Sequence, residues 1–481
     1  MRILQVASEA VPLVKTGGLA DVVTALSQAL GEAGDDVRLL LPAYGDVLER
    51  VKPELRLELG DPLRVGPARL WSTTLPGSDV KVWLLQCDPL FRRPGGPYLD
   101  ADGHDHPDNH LRFAMLARAA AMAAIASPTL GWPVDVVHAH DWQAALVPAY
   151  LSWWGGGRPA TVVTVHNLQF AGRFPPAILP EIAAPPSSFT MHGLEFYGEV
   201  SYLKAGLYYA DAITTVSPTY ADEIRTPEGG IGFDGLLRSR GTAVTGILNG
   251  IDERTWDPAR DMALPRRYDS KSLGTKRELR VALQRELGLH EDANVPLFGL
   301  VGRLTWQKGI DLLLEAMAPV LAEGAQLAVL GSGEPALVDA LAKIVATHPG
   351  QVAHRQGYDE ALSHRIFAGA DLFCVPSRFE PCGLTQIYGM RYGTPPIVRR
   401  TGGLADTVID DDEHPGEGTG FVFDAPSPAA LAHALARAIT AWRARERFAA
   451  IQRRGMTQTF GWARGTEDYR RVYAEAMAAR T

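Results

Sequence analysis

The sequence predicts an α/β protein made of two doubly wound, Rossmann-like domains facing a cleft. Three observations lead there. Short apolar runs suited to buried parallel strands alternate with segments of helical periodicity. The alternation halts over a polar stretch near mid-chain and then restarts. One Gly-Gly segment occurs almost unchanged in both halves.

Arg2 to Ala7 (RILQVA) reads as the first strand. A loop with Pro12 and Gly17-Gly18 follows, and then Leu19, Val22, Val23, Leu26 and Leu30 recur at helical spacing. Gly31 and Gly34 end that helix, and Val37–Leu41 is the next strand. Further strands are expected at Val80–Gln86, Val134–Ala139, Ala160–Val165, Ala212–Val216 and Ala243–Leu248, with helical segments such as Leu111–Ala126 between them. Residues 253–295 are polar and read as a connector with one helix near Lys276–Leu287. Strands resume at Leu297–Val301, Gln326–Leu330, Val352–Arg355, Leu372–Pro376 and Pro396–Arg399. The tail from Trp462 to Ala479 puts Tyr469, Val472, Tyr473 and Ala476 on one helical face, which needs a groove to cover. The expected division is a first domain over 1–247, a second over 248–460, and a terminal helix over 461–481 packing back on the first.

Composition narrows the function. The 481 residues suffice for two or three domains, and 46% hydrophobic with 21% charged residues is an ordinary globular balance. The 47 basic and 55 acidic residues give a net charge of −8, with no basic domain or stripe, so nucleic acid is not an expected partner. An anionic ligand must be met by a few placed cations. Three cysteines (Cys87, Cys374, Cys382) without CxxC spacing fit a reducing compartment. No apolar run reaches the ~18 residues of a membrane span. Gln5 and Glu9 interrupt the N-terminus too early for a signal peptide. A cytoplasmic protein without membrane anchor is expected.

The repeated segment is TGGLADVV at Thr16–Val23 and TGGLADTV at Thr401–Val408, each preceded by a basic residue, Lys15 or Arg400. Both would aim a helix N-terminus, rich in free N–H groups, at one shared site, with Gly18, Thr401, Gly402 and Gly403 near the ligand. GLVGRLTWQKG (Gly299–Gly309) places Arg303 and Lys308 just beyond a strand, a pair suited to a diphosphate. VPSRFEPCGL (Val375–Leu384) crowds Arg378, Glu380, Cys382, Gly383 and Leu384 into a turn beyond another strand. A carboxylate there can stabilise an oxocarbenium-like centre, or it can simply pair with Arg378. His166-Asn167 ends the strand TVVTV, and Asp141 follows His138-Ala-His140 at the end of another. Without further ligands, His-x-His reads as a polar strand end and not as a zinc site. Tyr98–His110 reads as a flexible lid or a plain solvated loop; it lacks the EF-hand pattern. VLGSGE (Val329–Glu334) is a Gly loop that would approach a nucleotide, but GxGxxG and P-loop patterns are absent.

Nine blocks in order carry a resemblance: KTGGLADV from Lys15, HNLQF from His166, HGLEF from His192, KAGLYYAD from Lys204, VSPTYADEI from Val216, LNGID from Leu248, GRLTWQKG from Gly302, PSRFEPCGLTQIYG from Pro376 and RRTGGLADTV from Arg399. Together they resemble the bacterial glycogen synthases, close relatives of plant starch synthases, nearly end to end. The resemblance implies a GT-B fold with the active site in the interdomain cleft, and retaining transfer of glucose from ADP-glucose to the 4-hydroxyl of an α-1,4-glucan. It implies no metal and no other cofactor. It would place Lys15 and Gly18 near the donor, Arg303 and Lys308 on the leaving diphosphate, His166 near the glucose 6-hydroxyl, and Glu380 beside the reacting sugar. Asp141, Asn249, Tyr98 and Cys382 would line the site, and Thr401–Gly403 would face the phosphates. Many retaining GT-B enzymes carry E-x7-E, whereas here Tyr388 stands eight residues after Glu380. Glycogen synthases share that change. Starch synthase, glucan phosphorylase with its pyridoxal lysine, a non-catalytic glucan-binding protein and a nucleotide-sugar epimerase are the competing readings.

Overall fold

The computed structural model describes residues 1–480. The chain divides into two compact units, Met1–Gly250 with the segment from Trp462 onward, and Ile251–Gly461.

The first unit carries β1 (Arg2–Val6), β2 (Asp36–Pro42), β3 (Glu54–Gly60), β4 (Ala68–Thr74), β5 (Lys81–Gln86), β6 (Val136–His140), β7 (Ala160–Val165), β8 (Arg173–Phe174), β9 (Glu195–Phe196), β10 (Glu199–Ser201), β11 (Ala212–Thr215) and β12 (Val244–Gly246). Nine of these form one sheet in the order β12-β11-β7-β6-β1-β2-β5-β4-β3, and β8, β10 and β9 form a small separate one. The central strands are parallel and mostly buried, so apolar residues dominate them, with Gln5, His138 and His140 as buried polar exceptions. β3, β4 and β5 pair antiparallel, an addition to the purely parallel sheet expected. The helix Asn109–Ala126 is buried along most of its length, its alanines letting it lie close on the sheet.

The terminal helix, Ala463–Ala478, belongs to this unit. Tyr469, Val472, Tyr473 and Ala476 are buried with Ile3, Val136 and Val162 and with Val22, Leu26 and Leu30 of the helix Gly18–Glu32. Each large apolar side chain so covered contributes roughly 1.5–3 kcal/mol.

The second unit carries β13 (Leu297–Val301), β14 (Gln326–Leu330), β15 (Val352–Arg355), β16 (Leu372–Val375), β17 (Pro396–Arg399) and β18 (Phe421–Phe423), all parallel in the order β15-β14-β13-β16-β17-β18. Along β13, Phe298 and Leu300 face one core while Leu297 and Val301 face the other. The polar stretch before β13 is no loose connector. Ile251, Leu264, Tyr268, Leu279 and Leu283 are part of this core. Buried Lys276 donates to Ala368 O at 2.7 Å, Thr394 Oγ1 at 2.8 Å and Tyr392 O at 3.0 Å, tying the helix Lys276–Leu287 down. Burial pushes its amine down to about 7.

In each unit the strand order reverses once. The chain leaves β1 toward β2 on one side and β6 on the other, and leaves β13 toward β14 and β16. Doubly wound sheets bind ligands beyond the carboxyl ends of strands at such points. Among the described residues no helix is long and apolar enough to cross a membrane.

Candidate active site

In the second unit the reversal point is built from two loops. Beyond β13 the turn Trp306–Lys308 runs into Gly309, whose φ is +66°. A Cβ there would lie 2.1 Å from Pro376 O, so only glycine lets this loop rest on the end of β16. The packing brings Lys308 Nζ to 2.5 Å from Glu380 Oε2, which also accepts from Ser377 Oγ at 2.9 Å. Glu380 is buried and Lys308 about a quarter exposed. Arg378 is not the partner of Glu380, because its guanidinium grips both Asp311 oxygens at 2.7 Å and lies over the Trp306 ring. Arg303 is exposed on the same loop, and its side chain has no hydrogen-bond or ion-pair partner among the described residues.

The second Gly-Gly closes over this turn. Gly403 N donates to Glu380 O and Pro381 O, both at 3.1 Å. A Cβ on Gly402 would lie 2.0 Å from Glu380 O, and one on Gly403 2.1 Å from Cys382 O. Gly383 has φ +71°, Cys382 and Thr401 are buried, and Leu384 is partly buried against the core. Glu380, Cys382, Gly383, Leu384, Thr401, Gly402 and Gly403 thus form one cluster. The first Gly-Gly differs, since a Cβ on Gly17 or Gly18 meets nothing within 4 Å. The two segments also start unlike helices, Gly18–Glu32 and the short Gly402–Thr407. Gly403→Ala is therefore expected to destabilise the protein by ~1–3 kcal/mol, while Gly18→Ala leaves the thermal midpoint within a degree or two. Scanning calorimetry of the two variants checks this, and equal midpoints would contradict it.

The VLGSGE loop serves packing. A Cβ on Gly331 would meet Gly302 O at 1.9 Å, and one on Gly333 would meet Leu304 O at 2.1 Å. These glycines let β14 support the Arg303 loop, with Leu304 N donating to Ser332 O at 2.8 Å.

In the first unit Glu9, which is not among the site residues expected from sequence, organises the end of β1. It is 2% exposed. Its carboxylate accepts from Thr16 N at 2.5 Å, Thr16 Oγ1 at 2.6 Å, Gly17 N at 3.3 Å and the Tyr98 hydroxyl. The Lys15–Gly18 loop and Tyr98 are thereby joined. Lys15 Nζ lies 2.9 Å from Asp21 Oδ1. Burial, then the Glu9 charge, raise the Tyr98 phenol well above its ordinary value. The segment after Tyr98 is anchored: Asn109 Nδ2 donates to Tyr98 O at 3.0 Å, and Asp100 Oδ1 accepts from Asp102 N and His104 N. Asn249 is buried beyond β12, and its Oδ1 has no partner among the described residues.

Asp141 ends β6 with φ +54°, a conformation rare outside glycine and most tolerated by Asn and Asp. Its Oδ1 accepts from His166 N at 2.7 Å, fixing the end of β7 beside the end of β6. Surrounding protein raises the Asp141 carboxyl to about 7, Glu9 adding to the rise. His166 Nε2 lies 2.9 Å from His140 Nδ1, and His140 Nε2 lies 2.6 Å from Gln5 Oε1. His138 is held by Tyr473 OH at 2.8 Å and Thr164 Oγ1 at 2.5 Å, so neither imidazole of the His-x-His pair is left for a metal.

Burial lowers His138 and His166 to about 3 and His140 well below its ordinary value. The unfolded chain binds these protons first. Their contribution to stability is whole above about pH 6.5 and is lost as pH falls toward 3. Asp141 acts oppositely, because its folded form takes a proton near pH 7 that the unfolded form takes only near 4. Three histidines against one carboxyl leave a net two protons, a loss of ~2–3 kcal/mol per pH unit near pH 5. Asp141→Asn is expected to steepen that loss in urea titrations at pH 7, 6 and 5. An unchanged slope would contradict it.

Comparison with known proteins follows this geometry. Residues 2–239 match the family described as starch synthase catalytic domain, and residues 284–454 match glycosyl transferases group 1. The chain is 50% identical over 479 residues to a glycogen synthase of Rhodospirillum rubrum, covering 99% of both chains. It is 48% identical over 480 residues to a glycogen synthase of Halorhodospira halophila, covering 100% of both. The solved catalytic domain of starch synthase IV from Arabidopsis thaliana, bound to ADP and acarbose, superposes with a TM-score of 0.87 at 31% identity over 99% of each chain. The two Rossmann-like units, the residues gathered where each sheet reverses, and these full-length likenesses place the chain in the glycogen and starch synthase family of GT-B glycosyltransferases.

Proposed function

We propose that the protein is a glycogen synthase: it transfers glucose, with retention of configuration, from ADP-glucose to the non-reducing 4-hydroxyl of an α-1,4-glucan, releasing ADP. The observation that carries this reading is the 2.5 Å contact of Lys308 with Glu380 at the reversal point, beside an exposed Arg303 whose side chain has no partner among the described residues. Full-length likeness to glycogen synthases and to an ADP-bound starch synthase supports it.

Breaking the C1–O bond develops negative charge on phosphate and positive charge on the sugar ring. Arg303 and Lys308 meet the first and Glu380 the second. The turn at Thr401, Gly402 and Gly403 lies on the phosphate side, and Lys15 and Gly18 approach the donor. His166 holds the glucose near its 6-hydroxyl, and Asp141 touches the sugar. Asn249, Tyr98, Cys382, Gly383 and Leu384 shape the surroundings. Tyr388, where the wider clan has its second carboxylate, is stacked on Trp256 with centroids 3.6 Å apart. The mechanism that fits is front-face attack, with the departing phosphate oxygen taking the proton of the acceptor hydroxyl. The second unit binds the nucleotide sugar and the first the acceptor. Three buried cysteines, none in a disulfide, suit the cytoplasm.

A transfer assay with glycogen primer and either ADP-glucose or UDP-glucose is the test. Chain extension with ADP-glucose preferred is expected. No extension, or a preference for UDP-glucose, would reject the reading.

A further inference from the structure

His166 is the outer end of a continuous buried polar chain that the reaction chemistry does not call for. From His166 Nε2 it passes to His140 Nδ1 at 2.9 Å, from His140 Nε2 to Gln5 Oε1 at 2.6 Å, and from Gln5 Nε2 to Tyr473 OH at 3.3 Å. It continues from Tyr473 OH to His138 Nδ1 at 2.8 Å, from His138 Nε2 to Thr164 Oγ1 at 2.5 Å, and on to Thr214 Oγ1 at 2.5 Å. Gln5, His138, His140, Thr164, Thr214 and Tyr473 are each fully buried, so every link must match a donor to an acceptor. Tyr473 comes from the terminal helix, far from the others in sequence.

The directions follow from the amide. Gln5 Oε1 only accepts, so His140 carries its proton on Nε2 and presents a bare Nδ1. A bare Nδ1 requires His166 to donate through Nε2–H, which leaves His166 Nδ1 without a proton. With the Gln5 amide in this orientation its N–H donates to Tyr473 OH, and the hydroxyl proton then goes to His138 Nδ1. His138 then donates to Thr164, and Thr164 to Thr214. Every link agrees in sense.

We propose that Tyr473, Gln5 and His140 are positioning residues that hold His166 as its Nε2–H tautomer, so that Nδ1 accepts a hydrogen bond from the donor sugar's 6-hydroxyl. Burial keeps all three imidazoles neutral, as one donor and one acceptor per ring requires. This inference rests on the reading of His166 as a contact of the donor glucose. An accepting nitrogen demands a hydroxyl proton, so a fluorine at that carbon, which only accepts, is refused. A donating nitrogen would tolerate it.

The test combines a spectrum with a substrate analogue. Nitrogen-15 spectra of histidine-labelled full-length enzyme, with the His166 signal identified by its loss in His166→Ala, are expected to show the proton on Nε2. The 6-deoxy-6-fluoro analogue of ADP-glucose is expected to have kcat/KM at least ~10-fold below that of ADP-glucose, a discrimination absent from His166→Ala. Tyr473→Phe keeps the ring and removes the hydroxyl. It is expected to mix the His166 tautomers and shrink the discrimination several-fold, with ADP affinity close to wild type and a lowered thermal midpoint, because Gln5 and His138 lose a buried partner. Should that variant not fold, Gln5→Met is measured the same way, and the wild-type spectrum decides without either. A proton on Nδ1, or wild-type discrimination in a folded Tyr473→Phe, overturns the inference while leaving His166 as a donor contact. Unchanged donor kinetics in His166→Ala would instead overturn the reading beneath it.

Discussion

Glu380→Gln is expected to lower kcat by at least ~10²-fold, with the thermal midpoint near that of wild type. The size follows from removing one preorganised charge from a site where charge develops only in the transition state. The substitution conserves shape. Ser377 Oγ keeps an acceptor at 2.9 Å, the main-chain bond from Gly403 N to Glu380 O is untouched, and Lys308, about a quarter exposed, can turn to water. Loss of the carboxylate therefore falls on the reaction and not on the fold. With the charge opposing an oxocarbenium-like ring, as proposed, KM for the donor is expected to move far less than kcat. Steady-state kinetics at saturating glycogen measure both constants. A folded Glu380→Gln enzyme with kcat within threefold of wild type would remove Glu380 from the chemistry.

How far the sequence reveals this arrangement differs by region. The parallel strands were legible because burial on both faces leaves little but apolar residues, as in Leu297–Val301 and Ala160–Val165. β3 is absent from the expected strands although Leu55, Leu57 and Leu59 alternate in it; it lies at the sheet edge and is mostly exposed, so no apolar run marks it. β18 was too short, at three residues, to stand out. Arg303, Lys308 and Glu380 were legible as polar residues just beyond apolar strands. The contact of Lys308 with Glu380 was not, since it depends on Gly309 lying against Pro376 O. Glu9 and Gln5 were hidden for a related reason. A single buried carboxylate or amide has no periodicity, and its partners, Thr16 and Tyr98 for one, His140 and Tyr473 for the other, are distant in the chain. The repeated Gly-Gly was visible, but not that the same letters meet open space in one unit and main-chain carbonyls in the other.

Lys308→Ala is expected to lower kcat/KM for ADP-glucose by ~10³-fold and to weaken ADP binding by ~10-fold, the scale of a charge-assisted contact to phosphate. Its place beside Glu380 makes a second, sharper expectation. Lys308 Nζ sits on Glu380 Oε2, so each charge is held in position by the other. A bound diphosphate would draw the ammonium between two anions, leaving the carboxylate nearer the sugar and the ammonium nearer the leaving group. Two groups that act as such a couple do not contribute independently, and removing the second after the first should do little further damage. The double variant Lys308→Ala/Glu380→Gln is accordingly expected to match the worse single variant within about threefold, instead of showing the product of the two losses. Calorimetric titration with ADP separates the parts. Glu380→Gln is expected to bind ADP as tightly as wild type or more so, because a free Lys308 meets the phosphates without a competitor, whereas Lys308→Ala binds it weakly. Strictly multiplicative losses in kcat/KM, or ADP affinity unmoved by loss of Lys308, would mean that the contact at the reversal point is a structural ion pair and that the diphosphate is met by other groups.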